Sequence, residues 1–522
     1  MKKTKKIRKR QEKNQKVKVI SSCILCILSV LLIALLIYIK KNYKDATFEQ
    51  ILYSFLYSEG TSISAIGEGI IFCGSITLVF SSIILFPWIY KSKTINIVNF
   101  NIKNRKYSFQ IFPFKKEKIF KFFLLEFLIC LILFINGVGF FNYLKFKFDK
   151  SKIFEKYYIN PIDVNVEFNN DNKKNLIYIF VESAENAGIS KENGGTTEES
   201  YIPNLENFAL NNINFSNVKK LGGALQIDGL GWTAAGMIGQ TSGVPIKMRI
   251  DANKYYKKYS NMPGAYSLGE ILDKNGYKNY LMLGSKAKFG GRKDYFTSHG
   301  NYKIYDYNWA KKGKLISKKY YEWWGYEDSK LFKFAKNKLL EISEKEEPFN
   351  FTILTADTHF PDGYVDKKCK DDLFNNNHYA SSFYCSDSMI GEFVDWIQEQ
   401  DFYDDTVIVI VGDHLTMQSD FYNISDKNYK RTVYNAIINS AVEPKHTKNR
   451  LFTTMDMYPT TLAAMGAKID GDRLGLGTNL FSGKKTIIEK LGFDYVNEEI
   501  SKKSTFYDNY ILGNSYKEML TK

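Results

Sequence analysis

Two different patterns of hydrophobic and polar residues divide this chain. Three long apolar runs lie in the first part, at 19–39, 69–90 and 122–144, and only the third contains a charged residue, Glu126, near its start. Each run has about the 20 residues that an α-helix needs to cross the hydrocarbon core of a bilayer. The pattern therefore predicts a membrane region with three helices over residues 1–144.

Beyond residue 172, short apolar runs alternate with longer amphipathic segments. Four runs resemble strands: NLIYIFVES (175–183), YKNYLMLGS (277–285), FNFTILTADTHF (349–360) and TVIVIVGDH (406–414). Strands that are apolar almost throughout are typical of a parallel sheet covered by helices on both faces. The pattern predicts an α/β domain with a mostly parallel central sheet over residues 173–522, joined to the membrane region by a linker over 145–172.

The net charge of +16 is concentrated beside the apolar runs. Residues 1–18 carry +9 and residues 91–121 carry +8, whereas residues 145–522 carry only +1. Because Lys and Arg collect on the cytoplasmic side of membrane proteins, this distribution predicts a cytoplasmic N-terminus and an external α/β domain. A nearly neutral external domain also argues against a nucleic acid partner.

A cleaved signal peptide is the alternative interpretation of the first apolar run. Its apolar core is longer than the usual ~7–15 residues, and no cleavage site of small residues precedes KKNYKD. These features favour a membrane anchor that is retained.

Polar side chains follow three of the predicted strands. Glu182 follows the first, Asp357 and His359 follow the third, and Asp413 and His414 follow the fourth. Because ligands bind beyond the carboxyl ends of parallel strands, we expect these residues to converge, although each alone is also typical of a helix cap or turn. Carboxylates combined with imidazole suit Mn²⁺ or Zn²⁺ better than Ca²⁺.

The segment GLGWTAAGMIGQTSG, at 229–243, surrounds Thr233 with small residues. If a helix begins at Thr233, its first N–H groups and its dipole would attract a phosphate. Contact with a metal ion would lower the pKa of the hydroxyl and make it a nucleophile. The alternative is a plain N-cap threonine. The neighbouring Trp232 is a candidate substrate contact.

Cysteine positions agree with the predicted topology. Four of the six cysteines lie in the apolar runs, which leaves Cys369 and Cys385 in the external domain. Because extracellular compartments are oxidising, we expect these two to form a disulfide. Two buried free thiols are the alternative.

Several motifs together resemble one known family. GWTAAGM, SGVP, ADTHFPDGY, CSDSMIGEF, GDHLTM and RLGLGTNLFS occur within about 175–483. They resemble the membrane-anchored phosphoglycerol transferases that modify periplasmic glucans, which are relatives of the lipoteichoic acid synthases in the alkaline phosphatase and sulfatase superfamily. The resemblance implies an alkaline phosphatase/sulfatase-like α/β sandwich. It also implies one divalent metal ion, Mn²⁺ or alternatively Mg²⁺ or Zn²⁺, bound by Glu182, Thr233, Asp413 and His414.

The same resemblance implies roles for further residues. Thr233 would be the nucleophile, and His359 would contact the substrate and could serve as acid or base. Asp357 is a candidate substrate-binding residue.

The resemblance also implies that the basic residue of the segment FGGRKD binds phosphate or glycerol. We expect Arg292 to make this contact because a planar guanidinium matches phosphate oxygens, with Lys293 as the alternative. Gly290 occupies the position where lipoteichoic acid synthases carry an aromatic residue. Trp324 could line the pocket or belong to the core.

The activity implied by this family is transfer of phosphoglycerol from phosphatidylglycerol, a membrane phospholipid, to an extracytoplasmic glycan. The reaction would pass through a covalent phospho-threonine and release diacylglycerol. The expected location is the bacterial inner (cytoplasmic) membrane, as a multi-pass protein. Phosphoethanolamine transfer or phosphodiester hydrolysis at the same site is the alternative, and a membrane-anchored binding protein without activity is a third possibility.

Overall fold

The computed structural model describes residues 2–42, 47–48, 51–52, 63–89, 97–102, 105–110, 119–169, 173–247, 262–418 and 420–513. These residues fall into two compact units, one within Met1–Lys44 and Ile63–Tyr143 and the other within Asp45–Ser62 and Leu144–Lys522. Most of the basic stretch 91–121 and part of the predicted linker lie outside the described residues.

The helices are α1 (Lys2–Asn42), α2 (Ile63–Ile89), α3 (Ile119–Gly137), α4 (Phe140–Phe148), α5 (Ile153–Tyr157), α6 (Pro203–Asn211), α7 (Thr233–Ser242), α8 (Leu268–Lys274), α9 (Arg292–Ser298), α10 (Tyr307–Lys312), α11 (Asp328–Ser343), α12 (Leu373–Asn376), α13 (His378–Gln398), α14 (Met457–Ala464), α15 (Ile487–Leu491) and α16 (Phe493–Ser501). The strands are β1 (Ile97–Ile102), β2 (Arg105–Gln110), β3 (Val166–Glu167), β4 (Asn175–Val181), β5 (Lys278–Leu283), β6 (Lys303–Tyr305), β7 (Phe349–Leu354), β8 (Thr406–Gly412), β9 (Asn435–Ile438), β10 (Lys468–Ile469), β11 (Arg473–Leu474) and β12 (Gly477–Thr478).

The first unit contains three helical stretches that are long and apolar enough to cross a membrane. Within the described residues these are Lys13–Asn42, Gly67–Phe86 and Ile119–Gly137. The third is shorter than the apolar run in the sequence, because α3 ends at Gly137 and α4 begins at Phe140. Gly139, between them, has a φ of +77°, which glycine adopts without steric cost.

The second unit is built on a sheet of six strands, counted among the described residues, in the order β6-β5-β7-β4-β8-β9. The neighbouring strands run parallel, except that β9 runs antiparallel to β8. The sheet is therefore mostly parallel, as the apolar strands predict.

Helices cover both faces of this sheet. Along β4, Tyr178 and Phe180 pack into a core with residues of α7, α8 and α14. The alternate residues Ile177 and Ile179 pack into a second core with residues of α6, α11 and α13. Successive side chains of a strand point to opposite faces, so a strand between two helical layers must be apolar at every position. The unit is thus an α/β sandwich.

The strand register brings the ends of distant segments together. Val181 at the end of β4 pairs with Gly412 at the end of β8, and Phe180 pairs with Leu354 at the end of β7. The residues that follow these strands consequently emerge at one edge of the sheet.

A disulfide joins two segments on the same side of the sheet. Cys369 is bonded to Cys385 of α13, with 5.8 Å between the two Cα atoms. The four cysteines of the first unit are free thiols. The bond links α13 to the loop that follows the His359 segment.

Candidate active site

Three ionisable side chains converge at the carboxyl edge of the sheet. Glu182, Asp413 and His414 are buried, and one ligand atom from each lies within 4.8 Å of the others. His414 Nε2 is 3.3 Å from Glu182 Oε1 and 3.4 Å from Asp413 Oδ2. The convergence expected for these three residues is therefore present in the fold.

Thr233 lies against this cluster as the first residue of α7. Its Oγ1 donates to Glu182 Oε2 at 3.1 Å and lies 3.5 Å from His414 Nε2. The N-cap of the helix is Trp232, which has extended backbone angles and makes no capping hydrogen bond with its side chain. The interpretation of Thr233 as a plain N-cap is therefore wrong, and its hydroxyl faces the acidic cluster.

Glycine allows α7 to approach the end of β8 this closely. A Cβ added at Gly236 would lie 2.0 Å from the carbonyl oxygen of Asp413, a distance at which backbone atoms would have to move. The small residues around Thr233 thus serve the contact between a helix and the backbone that carries two members of the cluster.

Backbone groups orient the members of the cluster. Asp413 Oδ1 accepts hydrogen bonds from the backbone N–H of Ser183 and of His414, each at 2.8 Å. His414 Nδ1 is 2.7 Å from the carbonyl oxygen of Leu415, so we assign a proton to Nδ1, and Nε2 is the ring nitrogen that faces the cluster. Asp413 Oδ2 is buried and receives no hydrogen bond from the described residues.

Two threonines that the sequence analysis did not single out support Glu182. Thr355 Oγ1 accepts from the backbone N–H of Glu182 at 3.0 Å, and Thr358 Oγ1 donates to the Glu182 carbonyl oxygen at 2.5 Å. Both belong to the segment FNFTILTADTHF, which carries His359. The sequence signal that could have identified these two threonines is their position directly after an apolar strand, although threonines are common at such positions.

This donor set fits one divalent cation. Four ligands at about 2.1 Å in a tetrahedral site lie about 3.4 Å apart, and the distances that Thr233 and His414 make within the cluster are 3.1–3.5 Å. The unsatisfied Asp413 Oδ2 is the atom that such a cation would satisfy. Two carboxylates, one imidazole and one hydroxyl are compatible with Mn²⁺, Mg²⁺ or Zn²⁺.

Without a cation, the electrostatic environment of the cluster favours the protonated forms of Asp413 and His414. Burial and the charge of Glu182 raise the pKa of Asp413 to about 8. Burial disfavours the charged form of His414, but Asp413 and Glu182 outweigh it and raise the pKa of His414 to about 9. Burial likewise opposes ionisation of Glu182, yet His359 and His414 keep the pKa of Glu182 below its ordinary value. A cation bound by these residues would displace the protons of Asp413 and His414.

His359 lies at the edge of the cluster. Burial lowers its pKa, and the positive charges of His414 and Arg292 lower it further, against the opposing effect of Glu182. The imidazole is therefore neutral near pH 7. Its Nδ1 lies 2.5 Å from the carbonyl oxygen of Phe360.

Arg292 and Lys293, the two candidates for the phosphate contact, differ in burial. Arg292 is buried at the first position of α9, whereas Lys293 is exposed. The Arg292 guanidinium donates to the carbonyl oxygens of Phe289 and Lys286, at 3.0 and 3.2 Å. Because its charge affects the pKa of His359, Arg292 contributes positive potential to the site.

Trp324 forms an aromatic wall beside His359. The two ring centroids are 4.4 Å apart, and the other neighbour of Trp324 is Phe289, at 5.6 Å. The hydrophobic periodicity of the sequence does not predict that Trp324 and His359 are in contact, because the two residues lie on different segments.

Asp357 and Trp232, two candidate substrate-binding residues, mainly contact other residues of the protein. Asp357 Oδ2 accepts from the backbone N–H of Asp328 at 3.1 Å, and the Asp328 carboxylate in turn accepts from the backbone N–H of Asp357. Burial and the charge of Asp328 raise the pKa of Asp357. These bonds hold the turn that carries His359. Trp232 is buried, and its side chain belongs to the core next to α7.

The comparisons with known proteins place these residues in a family. Residues 174–467 match the family model described as Sulfatase. Phosphoglycerol transferase I of Xanthomonas campestris pv. campestris (strain B100) is 29% identical over 320 residues, which cover 59% of this chain and 43% of that protein. Phosphoglycerol transferase I of Escherichia coli (strain 55989 / EAEC) is 29% identical over 319 residues, covering 60% and 40%. This chain thus matches less than half the length of these curated relatives.

Two solved structures are also similar. The lipoteichoic acid synthase LtaP from Listeria monocytogenes has a TM-score of 0.47 and 19% identity, covering 61% of this chain and 79% of its own. The Streptococcus pyogenes phosphoglycerol transferase GacH, solved in complex with sn-glycerol-1-phosphate, has a TM-score of 0.43 and 15% identity, covering 70% and 98%. Because the matched segment spans more than half of the chain and contains Glu182, Thr233, Asp413 and His414, the chain belongs to the sulfatase family.

Proposed function

We propose that this protein transfers phosphoglycerol from phosphatidylglycerol to a hydroxyl of an extracytoplasmic glycan. The observation that carries the proposal is the position of Thr233 Oγ1, at the start of α7 and 3.1 Å from Glu182 Oε2. A hydroxyl at a helix N-terminus beside a metal-ligand cluster can attack a phosphodiester. The relatives named Phosphoglycerol transferase I support the choice of transferred group.

Glu182, Thr233, Asp413 and His414 would hold one divalent cation, for which we propose Mn²⁺, with Mg²⁺ and Zn²⁺ as alternatives. When bound, this ion supplies Lewis-acid chemistry, because it lowers the pKa of the threonine hydroxyl and neutralises charge on the phosphoryl oxygens. The first N–H groups of α7 and the positive charge of Arg292 act on the same oxygens.

In the first step, Thr233 Oγ attacks the phosphorus of the donor lipid. The new Oγ–P bond forms as the bond between phosphorus and the diacylglycerol oxygen breaks. The proton lost by Thr233 ends on the diacylglycerol oxygen. His359 is the candidate carrier, because burial keeps its imidazole neutral near pH 7 and able to accept a proton.

In the second step, a hydroxyl of the acceptor attacks the same phosphorus. The Oγ–P bond breaks, phosphoglycerol passes to the acceptor, and the acceptor proton restores the threonine hydroxyl. We propose that Trp324 packs against the glycerol group, since its ring lies beside His359 at 4.4 Å.

We propose that the protein is a multi-pass protein of the bacterial inner (cytoplasmic) membrane, with a cytoplasmic N-terminus and an extracytoplasmic catalytic unit. Three apolar helical stretches and the basic residues beside the first of them support this orientation. The Cys369–Cys385 disulfide supports an oxidising compartment for the catalytic unit.

Mass spectrometry of the purified protein after exposure to phosphatidylglycerol tests the proposal. We expect glycerophosphate on the peptide that contains Thr233, together with one diacylglycerol released per modified chain. Thr233→Ala is the control and should carry no adduct. Phosphatidylethanolamine should release no diacylglycerol; release from that lipid alone would identify the protein as a phosphoethanolamine transferase.

A second measurement separates transfer from hydrolysis. The adduct should be discharged faster by an oligosaccharide acceptor than by buffer alone. Equal rates would identify a phosphodiesterase and overturn the transferase proposal.

A further inference from the structure

A basic and partly apolar surface lies on the loop that follows α10. The segment 312–321, KGKLISKKYY, contains four lysines and no acidic residue. Its exposed charged and large apolar side chains are Lys312, Lys314, Leu315, Lys318, Lys319 and Tyr321. Leu315 and Tyr321 are 46% and 44% exposed. We call these six side chains the 312–321 surface.

The segment is firmly attached to the fold beneath this surface. Ile316 is buried, and Tyr320 OH donates to Glu327 Oε2 at 2.7 Å. Lys330 Nζ donates to the same Tyr320 hydroxyl at 2.8 Å, and Tyr307 OH donates to the Tyr320 carbonyl oxygen. The ring of Tyr321 packs edge-on against Tyr307, with 5.8 Å between the centroids, but much of it stays exposed. Leu315 and the outer part of Tyr321 therefore project from an anchored loop.

The segment leads directly into the active site. Trp323 Nε1 donates to the carbonyl oxygen of Ala356 at 3.0 Å, which ties the end of the loop to the turn that carries His359. The next residue, Trp324, packs on the His359 ring. A ligand held by the 312–321 surface would consequently lie beside the entrance to the catalytic residues.

We infer that the 312–321 surface binds the face of a bilayer that contains anionic phospholipid. Lysines are attracted to anionic head groups, and their long stems can lie along the interface while the amines stay in water. Leucine and tyrosine gain free energy by entering the interfacial region, where tyrosine is enriched. A soluble anionic polymer would match the lysines but would leave Leu315 in water, so the bilayer is the better match.

This inference rests on the proposed function in one respect, because it assumes that the donor is a lipid that must reach Thr233 from a bilayer. Binding to the bilayer can nevertheless be measured without turnover. The full chain is reconstituted in nanodiscs of phosphatidylcholine, with or without phosphatidylglycerol, and hydrogen–deuterium exchange is followed on the peptide that covers 312–321. We expect severalfold slower exchange when phosphatidylglycerol is present.

Paired charge reversals test the role of the lysines. Lys318→Glu/Lys319→Glu should abolish the protection, and Lys318→Gln/Lys319→Gln should reduce it to an intermediate level. The matched control is Lys219→Glu/Lys220→Glu, which reverses another adjacent pair of exposed lysines. This pair lies near the opposite edge of the sheet, where Ile213 pairs with Ile437 of β9. The control should keep the protection, and unchanged thermal melting of all three variants would show that they fold.

The outcomes distinguish this inference from the proposed function. Equal exchange in the two lipid compositions, or equal protection by soluble heparin, would overturn the bilayer assignment. Protection without release of diacylglycerol would support the surface and contradict the proposed function. If both hold, Lys318→Glu/Lys319→Glu should lower the ratio of turnover on vesicle donor to turnover on short-chain donor by about tenfold.

Discussion

At the scale of single residues, the start of α7 determines what the Thr233 hydroxyl contacts. Thr233 is the first residue of α7, and its hydroxyl donates to Glu182 because Trp232 occupies the N-cap position. Had the helix begun one residue later, the same hydroxyl would have been available to cap backbone N–H groups. The chemistry of the site therefore depends on where this helix begins.

Replacement of the proposed nucleophile should separate catalysis from folding. We expect Thr233→Ala to lower turnover of phosphatidylglycerol by at least about 1000-fold, because it removes the hydroxyl on which the proposed covalent intermediate forms. Thr233→Ser keeps an oxygen nucleophile and should retain measurable turnover. Diacylglycerol release is the readout, and wild-type turnover in Thr233→Ala would contradict a catalytic role.

Replacement of a proposed metal ligand should have a different effect. Asp413→Asn can still accept the backbone N–H groups of Ser183 and His414, but it loses the charge that faces the cluster. We therefore expect a folded protein whose melting temperature no longer rises with added Mn²⁺. A wild-type response to Mn²⁺ would show that Asp413 is not a ligand.

At the scale of elements, the site depends on how closely α7 lies against the end of β8. This closeness requires glycine at position 236, because a Cβ there would meet the backbone oxygen of Asp413 at 2.0 Å. Gly239 lies one turn further on, and a Cβ there would meet only the end of the Leu230 side chain, at 2.3 Å. A side-chain end can move where a backbone carbonyl in a strand cannot.

This difference provides a matched pair of substitutions on one helix. Alanine favours a helix over glycine by about 0.5–1 kcal/mol, which offsets part of any clash. We expect Gly239→Ala to be close to neutral, and Gly236→Ala to lower the free energy of unfolding by about 1–3 kcal/mol and to reduce turnover, because Thr233 moves with the helix. Thermal melting and diacylglycerol release measure both effects. Equal effects of the two substitutions would contradict the packing argument.

At the scale of the whole molecule, stability should depend on pH and metal together. The pKa of His414 is raised from 6.5 to about 9 and that of Asp413 from 3.8 to about 8, so the metal-free folded state binds protons more tightly than the unfolded state. The stability contributed by these groups is full below the unfolded pKa values and is lost as pH rises through the folded ones. Between pH 7 and 9, the metal-free protein should therefore become less stable.

A divalent cation should reverse this trend, since it replaces the protons at the same atoms. We expect the melting temperature in chelator to fall between pH 7 and 9, and the increase produced by Mn²⁺ to grow over the same range. His414→Gln should flatten both slopes and serves as the control for other titrating groups. An Mn²⁺ effect that is constant with pH would contradict the proton-exchange argument.

The sequence by itself determined the local architecture. Apolar runs of about 20 residues predict the three helical stretches, and runs of hydrophobic residues predict the buried strands, because burial on both faces leaves no polar positions. Polar residues directly after those strands singled out Glu182, Asp413 and His414, whose ligand atoms lie within 4.8 Å of one another in the fold. The break at Gly139 was not visible, since apolar composition continues across it.

Only the tertiary structure decided which side chains meet. Thr233 contacts residues 51 and 181 positions away, and Trp324 reaches His359 from a separate loop. The tertiary structure also buries Arg292 and leaves its neighbour Lys293 exposed. In the same way, it directs the Asp357 carboxylate towards the backbone of Asp328. Hydrophobic periodicity reports how each segment buries its own apolar face. Contacts between segments instead depend on strand order, register and helix position, which are set by the packing of the whole unit.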